Sequence, residues 1–180
     1  METSRQVAQA GGRLDRVALL AGLLRRVDPH EIEIAVAFLS GEPRQAKLGV
    51  RFGRLRFARS EPAAEAPTLR LSDVDQTFER IAQVGGKGST DAKLRLLAEL
   101  FRKATGDEQR FLENLVAGEL RQGALEGLMA EAVAQAAAVP AVIVRRAMMA
   151  AGELPSVARV ALTEGAAALA RFAVQVFRPV

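Results

Sequence analysis

Lys87 stands in the run Val84-Gly85-Gly86-Lys87-Gly88-Ser89-Thr90, where three glycines free the backbone just ahead of a helical apolar pattern carried by Leu94, Leu97, Ala98 and Phe101. Ser89 or Thr90 can cap that helix. The amides of a helix start point outward unpaired, so with Lys87 and Lys93 beside them they could hold one or two phosphate groups. A plain turn followed by an N-cap accounts for the same letters. A second polar junction, Gly118-Glu119-Leu120-Arg121-Gln122-Gly123, lies between two amphipathic stripes. Phe111, Leu112, Leu115 and Val116 form the first stripe, and Leu125, Leu128, Met129, Ala132 and Val133 the second. Such a pattern holds a loop between two anchored helices while its polar residues face outward.

Other chemistry is poorly provided for. The chain has no cysteine, which removes disulfides, thiolate metal ligands and thiol nucleophiles. Its one histidine, His30, sits in Asp28-Pro29-His30-Glu31, where the first turn of a helix is expected, far from either junction. Glu113, Glu119, Glu126, Glu131 and Glu153 fall in or beside helical segments and read as solvated faces or helix-end charges, so no metal site or acid-base pair is expected. The glycine turn is not a nucleotide P-loop either: Lys87 precedes Gly88 instead of following the last glycine, and the turn follows a helix pattern where that motif requires a strand.

The elements that must position these residues read as helices. Apolar residues make up 49% of 180 residues and alanine is abundant, which suits one helical domain with a buried core. Leu14, Val17, Leu20, Ala21 and Leu24 predict a helix over about 13–27, and Pro29 to Leu39 a second, ended by Ser40-Gly41-Glu42-Pro43. Ser72, with Asp75 three residues on, predicts the start of a helix that stops before Gly85. Thr105 and Glu108 form another capping box, a helix is expected from Leu125 to Ala138, and Pro140 opens the next at its first position. Met148 and Met149 are expected in the core. The alanines of the last third would let helices pack closely.

From Arg44 to Arg59 the chain carries Arg44, Lys47, Arg51, Arg54, Arg56 and Arg59 with no acidic residue, and Leu48, Val50, Phe52, Leu55 and Phe57 between them. That run can collect phosphate charge or be an ordinary solvated surface on apolar stems. Ser60 to Thr68 reads as a mobile connection, and the terminal Ala173 to Val180 as an extended tail. No stretch has the length and apolar character of a membrane span, and the net charge of +4 is compatible with nucleic acid without establishing it.

Taken together in order, LSDVDQTFERIA, VGGKGSTDAKLRLLAELFRKAT, FLENLVAGELRQGALEGLMAEAVAQA, VRRAMMAAGELPSVARVAL and the terminal FRPV resemble the N-terminal DNA-binding domain of ATP-dependent DNA ligases of the bacterial and archaeal type. The resemblance covers nearly the whole chain. It implies an all-α, compact multi-helix domain of two related helical halves, spanning residues 1–172 with the connection near 60–68. Residues 173–180 would then begin a linker or strand toward a nucleotidyltransferase domain, the chain reading as a fragment that stops at that boundary.

The same resemblance implies sequence-independent binding of nicked double-stranded DNA through phosphate, sugar and minor-groove contacts, which fits a protein that must hold any sequence. Gly86, Lys87, Gly88 and Ser89, with Thr90 and with Lys93 on the following helix, match the first backbone-binding turn. Gly118, Arg121, Gln122 and Gly123 match the second. Arg121 is the sharpest phosphate candidate, while Gln122 could reach the backbone or merely close the turn. Arg145 and Arg146 are weaker candidates, since one could pair with an acidic residue of the fold. Members of this family adenylate the lysine of a KxDG motif; Lys47, Lys87, Lys93 and Lys103 are the lysines here, and none has that context. Catalysis with ATP and Mg2+ is therefore expected in covalently continuous domains outside this chain, no cofactor is expected within it, and the protein is expected to be a monomer, cytoplasmic and nucleoid-associated. The competing class is a helical protein-interaction or structural module without affinity for DNA.

Overall fold

The computed structural model describes residues 2–45, 48–50, 62–118 and 123–172. In chain order they form α1 (Glu2–Gln9), α2 (Arg13–Leu24), a 3-10 turn (Pro29–Glu31), α3 (Ile32–Leu39), α4 (Leu71–Gln83), α5 (Ser89–Lys103), α6 (Gly106–Ala117), α7 (Gly123–Ala137), α8 (Ala141–Ala151), α9 (Leu154–Glu164) and a 3-10 segment (Ala166–Phe172). No strand occurs among the described residues, and the protein is all-α as expected. The expected C-terminal tail, Glu119 to Gln122, and most of the basic run, from Arg51 to Arg59 with Lys47, lie outside the described residues.

The chain divides into two units, and the division is not sequential. One is built from residues 41–122; the other joins residues 2–40 to the chain from Gly123 onward. In the second, Val17, Leu20 and Leu24 of α2 and Ile32 and Val36 of α3 share one core with Met129 and Val133 of α7, Val144 of α8 and Val157 and Val160 of α9. Burying a side chain such as Leu24 or Met129 contributes about 1.5–3 kcal/mol each. Ala130, Ala132 and Ala134 of α7 and Ala158 and Ala161 of α9 are buried too, and their small side chains allow the close helix approach anticipated from composition. Polar ties join the same elements. Arg25 donates to the carbonyls of Gln135 (2.7 Å) and Ala136 (3.4 Å), satisfying the C-terminal end of α7, and Arg159 donates to Glu33 at 2.7 Å.

In the unit of residues 41–122, Phe78 and Ile81 of α4, Leu97 and Phe101 of α5 and Leu115 of α6 are almost wholly removed from solvent. The Thr105–Glu108 capping box forms as expected: Glu108 accepts the Thr105 amide at 2.8 Å, and Thr105 Oγ1 accepts the Glu108 amide at 3.4 Å. Buried Gln109 donates to the Phe101 carbonyl at 2.8 Å, tying α6 to the end of α5. Within the expected connection, the Ala64 amide donates to Ala104 at 2.9 Å.

Several boundaries differ from the sequence reading for physical reasons. Helix α2 ends at Leu24, short of residue 27, because the proline at 29 holds Asp28 in an extended conformation (φ −56°, ψ 135°) and the chain turns beforehand. Helix α4 begins at Leu71, not after Ser72, and its capping carboxylate is Asp73, which accepts the Arg70 amide at 3.0 Å. Asp75 is buried instead, held by Arg44 through Nε at 3.1 Å and Nη2 at 2.5 Å, with Gln45 donating at 3.2 Å. Helix α7 starts at Gly123, two residues before Leu125, and Pro140 is the residue ahead of α8, not its first. Met149 is 83% exposed; α8 turns Val144 and Ala147 inward, leaving only Met148 packed against the core.

Candidate nucleic-acid interface

The first turn is built by torsion. Gly86 (φ +81°) and Gly88 (φ +80°) both adopt the left-handed conformation that residues with a Cβ rarely take. The Ser89 amide donates to the Gly86 carbonyl at 3.2 Å, closing the turn, and the Ala92 amide donates to Gly88 at 3.3 Å, starting α5. Gly88 is thus the residue that caps the helix, where Ser89 or Thr90 was expected, and neither hydroxyl serves as the cap. The result leaves Ser89 and Thr90 in the first turn of α5 and Lys87 exposed ahead of it, with no ion pair among the described residues. Asp91, also in that first turn, sets a negative charge against this positive end.

Lys93 has a different surrounding from the one expected. Its Nζ donates to the Leu48 carbonyl at 2.8 Å, and a side chain added at Gly49 would come within 3.0 Å of it. Leu48 is itself buried, so Lys93 fastens the start of the basic run to α5. Arg44, the first cation of that run, is spent on buried Asp75. Both residues therefore have structural work, which sequence spacing could not reveal because their partners lie 45 and 31 residues away.

At the second junction α6 ends on Gly118, left-handed at φ +73°, whose amide donates to Leu115 at 3.2 Å. Arg121 and Gln122 lie outside the described residues, and Gly123 is the first residue of α7. Arg145 and Arg146 lie on the exposed side of α8 in the other unit. The alternative that one of them pairs internally is realised by Arg145, whose Nη1 is 3.6 Å from Glu131 Oε1. Glu131 is held more tightly by Arg13, through Nε at 3.2 Å and Nη2 at 3.0 Å. The Arg13 hydrogen bond holds the Glu131 carboxyl below its ordinary pKa against the opposing effect of burial, and the charges of Arg13 and Arg145 add to the lowering. The same bond raises the Arg13 guanidinium. Arg146 has no ion pair among the described residues, so of the two arginines it is the one available to an outside anion.

Sequence reasoning missed Arg13, which brings a second guanidinium to Glu131, beside that of Arg145, from 118 residues away. The described residues contain no cluster of three or more His, Cys, Asp or Glu side chains able to hold a metal ion, and no helix among them is long and apolar enough to cross a membrane. The chemistry offered is electrostatic: exposed Lys87 at a glycine-bent turn and exposed Arg146 on a helix face suit polyanion oxygens.

Comparison with known proteins gives the same direction. The chain is 48% identical over 181 aligned residues to a probable DNA ligase of Anaeromyxobacter sp. (strain Fw109-5), matching 100% of this chain and 35% of that protein. It is 49% identical to a probable DNA ligase of Mycolicibacterium gilvum (strain PYR-GCK), over 96% of this chain and 33% of the relative, and 51% identical to one of Mycobacterium sp. (strain KMS), over 98% and 34%. The chain thus spans about a third of the length of these relatives. Residues 48–134, which include both glycine junctions, match the family model described as DNA ligase N terminus, and by these similarities the chain belongs to the DNA ligase N-terminal family.

Proposed function

We propose that this chain is the DNA-binding module of an ATP-dependent DNA ligase, holding nicked duplex by its sugar-phosphate backbone from the minor-groove side while other domains seal the 5′-phosphate to the 3′-hydroxyl. The observation that carries the reading is Lys87, exposed and without an ion-pair partner among the described residues, on a turn of two left-handed glycines that opens α5 within the family-matched segment. In this role the amides of the α5 start and Lys87 hold one stretch of phosphates, Gly118, Arg121, Gln122 and Gly123 hold another, and Arg146 adds a cation on α8. Lys93 contributes by fixing the 48–50 segment to α5, and Arg145 supplies charge shared with Glu131. ATP and Mg2+ supply adenylate transfer in the rest of the parent enzyme. This chain binds and positions, and incubated with ATP it forms no covalent adenylate. Its place of action is the cytoplasm, on the nucleoid.

A fluorescence titration of nicked and intact duplex against the 180-residue chain tests the proposal. Affinity is expected to be roughly micromolar or weaker and to fall steeply with salt, and Lys87→Ala should lower the slope of log K against log salt by about one. The Lys87→Ala, Arg121→Ala pair should weaken binding to nicked and intact duplex of any sequence. Absence of duplex binding at low salt, with no effect of the pair, would instead identify a helical protein-interaction module. Covalent retention of labelled adenylate by the chain would overturn the assignment of catalysis to other domains.

A further inference from the structure

Arg13 stands at the start of α2, outside the residues that match the family model, and takes no part in the phosphate contacts of the proposed function. Its guanidinium crosses to α7. Nε and Nη2 donate to the two carboxylate oxygens of Glu131 at 3.2 and 3.0 Å, and Nη2 lies 3.9 Å from the place a Cβ at Gly127 would occupy. Those two nitrogens form one edge of the planar group. The other edge, Nη1 with the second hydrogen of Nη2, has no acceptor among the described residues, and the Arg13 side chain is 55% exposed. A guanidinium fixed along one edge and open along the other is prepared to give a phosphate two parallel hydrogen bonds. Its charge is not cancelled either: one carboxylate serves two cations, since Arg145 Nη1 is 3.6 Å from Glu131 Oε1, too far for a hydrogen bond.

Gly127 and Glu131 follow Gly123 at steps of four, so the three share one row of α7, ~12 Å from end to end. Gly123 belongs to the second glycine junction. The row thus leads from that junction to the Arg13 guanidinium, over a length of a few phosphates of one DNA strand. Gly127 adds a separate observation. Glycine is a poor helix former, yet a Cβ at this exposed position would meet only the end of the Arg13 side chain, at ordinary van der Waals distance. Packing within the chain does not require glycine there; close approach of a backbone from outside does. We infer that Arg13 is a further contact to the DNA phosphates, at the end of the Gly123–Gly127–Glu131 row, and that Glu131 is the positioning residue that fixes its guanidinium. The role rests on the DNA-binding reading and extends it to a residue beyond the matched segment.

Titration of the 180-residue chain with fluorescent nicked and intact duplex over a range of salt tests the contact. Arg13→Ala should weaken binding to both duplexes by about three- to tenfold at low salt and lower the slope of log K against log salt by about one, in addition to the Lys87→Ala effect. Arg13→Lys keeps the charge without the fork, so the slope should stay while affinity falls by about two- to threefold. Glu131→Gln tests positioning by its sign. It should weaken binding in the wild-type chain, where the guanidinium loses its orientation, and strengthen it in the Arg13→Ala chain, where only repulsion of phosphate is removed. Gly127→Ala should raise the thermal midpoint and still weaken duplex binding by about two- to threefold. A chain that binds duplex through Lys87 yet keeps its affinity and slope in Arg13→Ala, shown folded by far-UV circular dichroism, would overturn the contact and leave the DNA-binding reading standing. Tighter binding by Glu131→Gln in both chains would overturn the positioning role. Absence of duplex binding at low salt would overturn the DNA-binding reading itself, and the contact with it.

Discussion

Glu131 takes a bidentate hydrogen bond from Arg13 and stands 3.6 Å from Arg145. Its carboxyl is held below the ordinary value, so the folded state binds its proton less readily than the unfolded chain does. Stability from this group is therefore fully present above the unfolded glutamate pKa, about 4.3, and is lost as pH falls through the depressed folded value. Glu131→Gln should lower the thermal midpoint slightly at neutral pH, and the gap to wild type should close below about pH 4.3. A gap that widened on acidification would contradict the pairing. Arg44 offers a sharper contrast with Lys87. Removing Arg44 leaves the Asp75 carboxylate buried with only Gln45 donating to its side chain among the interactions described, so Arg44→Ala should cost about 2–3 kcal/mol in urea unfolding. Lys87→Ala, at an exposed turn, should stay within about 0.5 kcal/mol. Both are basic residues in glycine-rich surroundings, and only the structure separates the one that holds the fold from the one free to meet a ligand.

Among the elements, local signals were legible where they were self-contained. The Thr105–Glu108 box, the stop before Gly85 and the break at Gly118 all follow from neighbouring residues, and they form as read. Signals that depend on distant partners were not legible. Ser72 and Asp75 have cap spacing, yet Arg44 recruits Asp75 into a buried pair and the cap moves to Asp73. The run AVIVRRAMMAA is apolar on several sides, so periodicity alone leaves the phase of α8 open, and the helix turns Met149 outward. The end of α7 shows a further feature hidden in an alanine run: Ala138 is left-handed at φ +55°, and the Val139 amide reaches back to the Ala134 carbonyl at 2.9 Å. That is the position at which helices ordinarily place glycine. Since Ala138 is exposed and the strain lies in its backbone, Ala138→Gly should stabilise the protein by about 1 kcal/mol, measured as a higher urea midpoint with an unchanged slope. An unchanged or lower midpoint would show that the gain in unfolded-chain entropy outweighs the strain relieved.

At the level of the whole molecule, helical periodicity marked which residues face a core but not whose core they share. Leu24 and Met129 read as buried in separate helices, and nothing in their spacing indicates that residues 2–40 join the chain beyond Gly123 while residues 41–122 form a unit of their own. This topology separates the functional candidates too: the Gly86–Lys87–Gly88 turn belongs to the inserted unit, and Arg146 to the one made from both ends. Leu24→Ala tests the arrangement. Truncating a side chain 1% exposed in that shared core should cost about 2–5 kcal/mol, and the loss should be felt wherever the same core is used. Hydrogen exchange should then speed up together at the amides of α2, α7 and α9, although about a hundred residues of chain lie between the first and the others, while the amides of α4, α5 and α6 keep their protection. Acceleration confined to α2, or spread equally over all the helices, would contradict the two-unit division. If the division holds, the Leu24→Ala protein should retain the Lys87-dependent part of its salt-sensitive duplex binding, because the turn that presents Lys87 is anchored by Phe78, Ile81 and Leu97 in the unaffected unit.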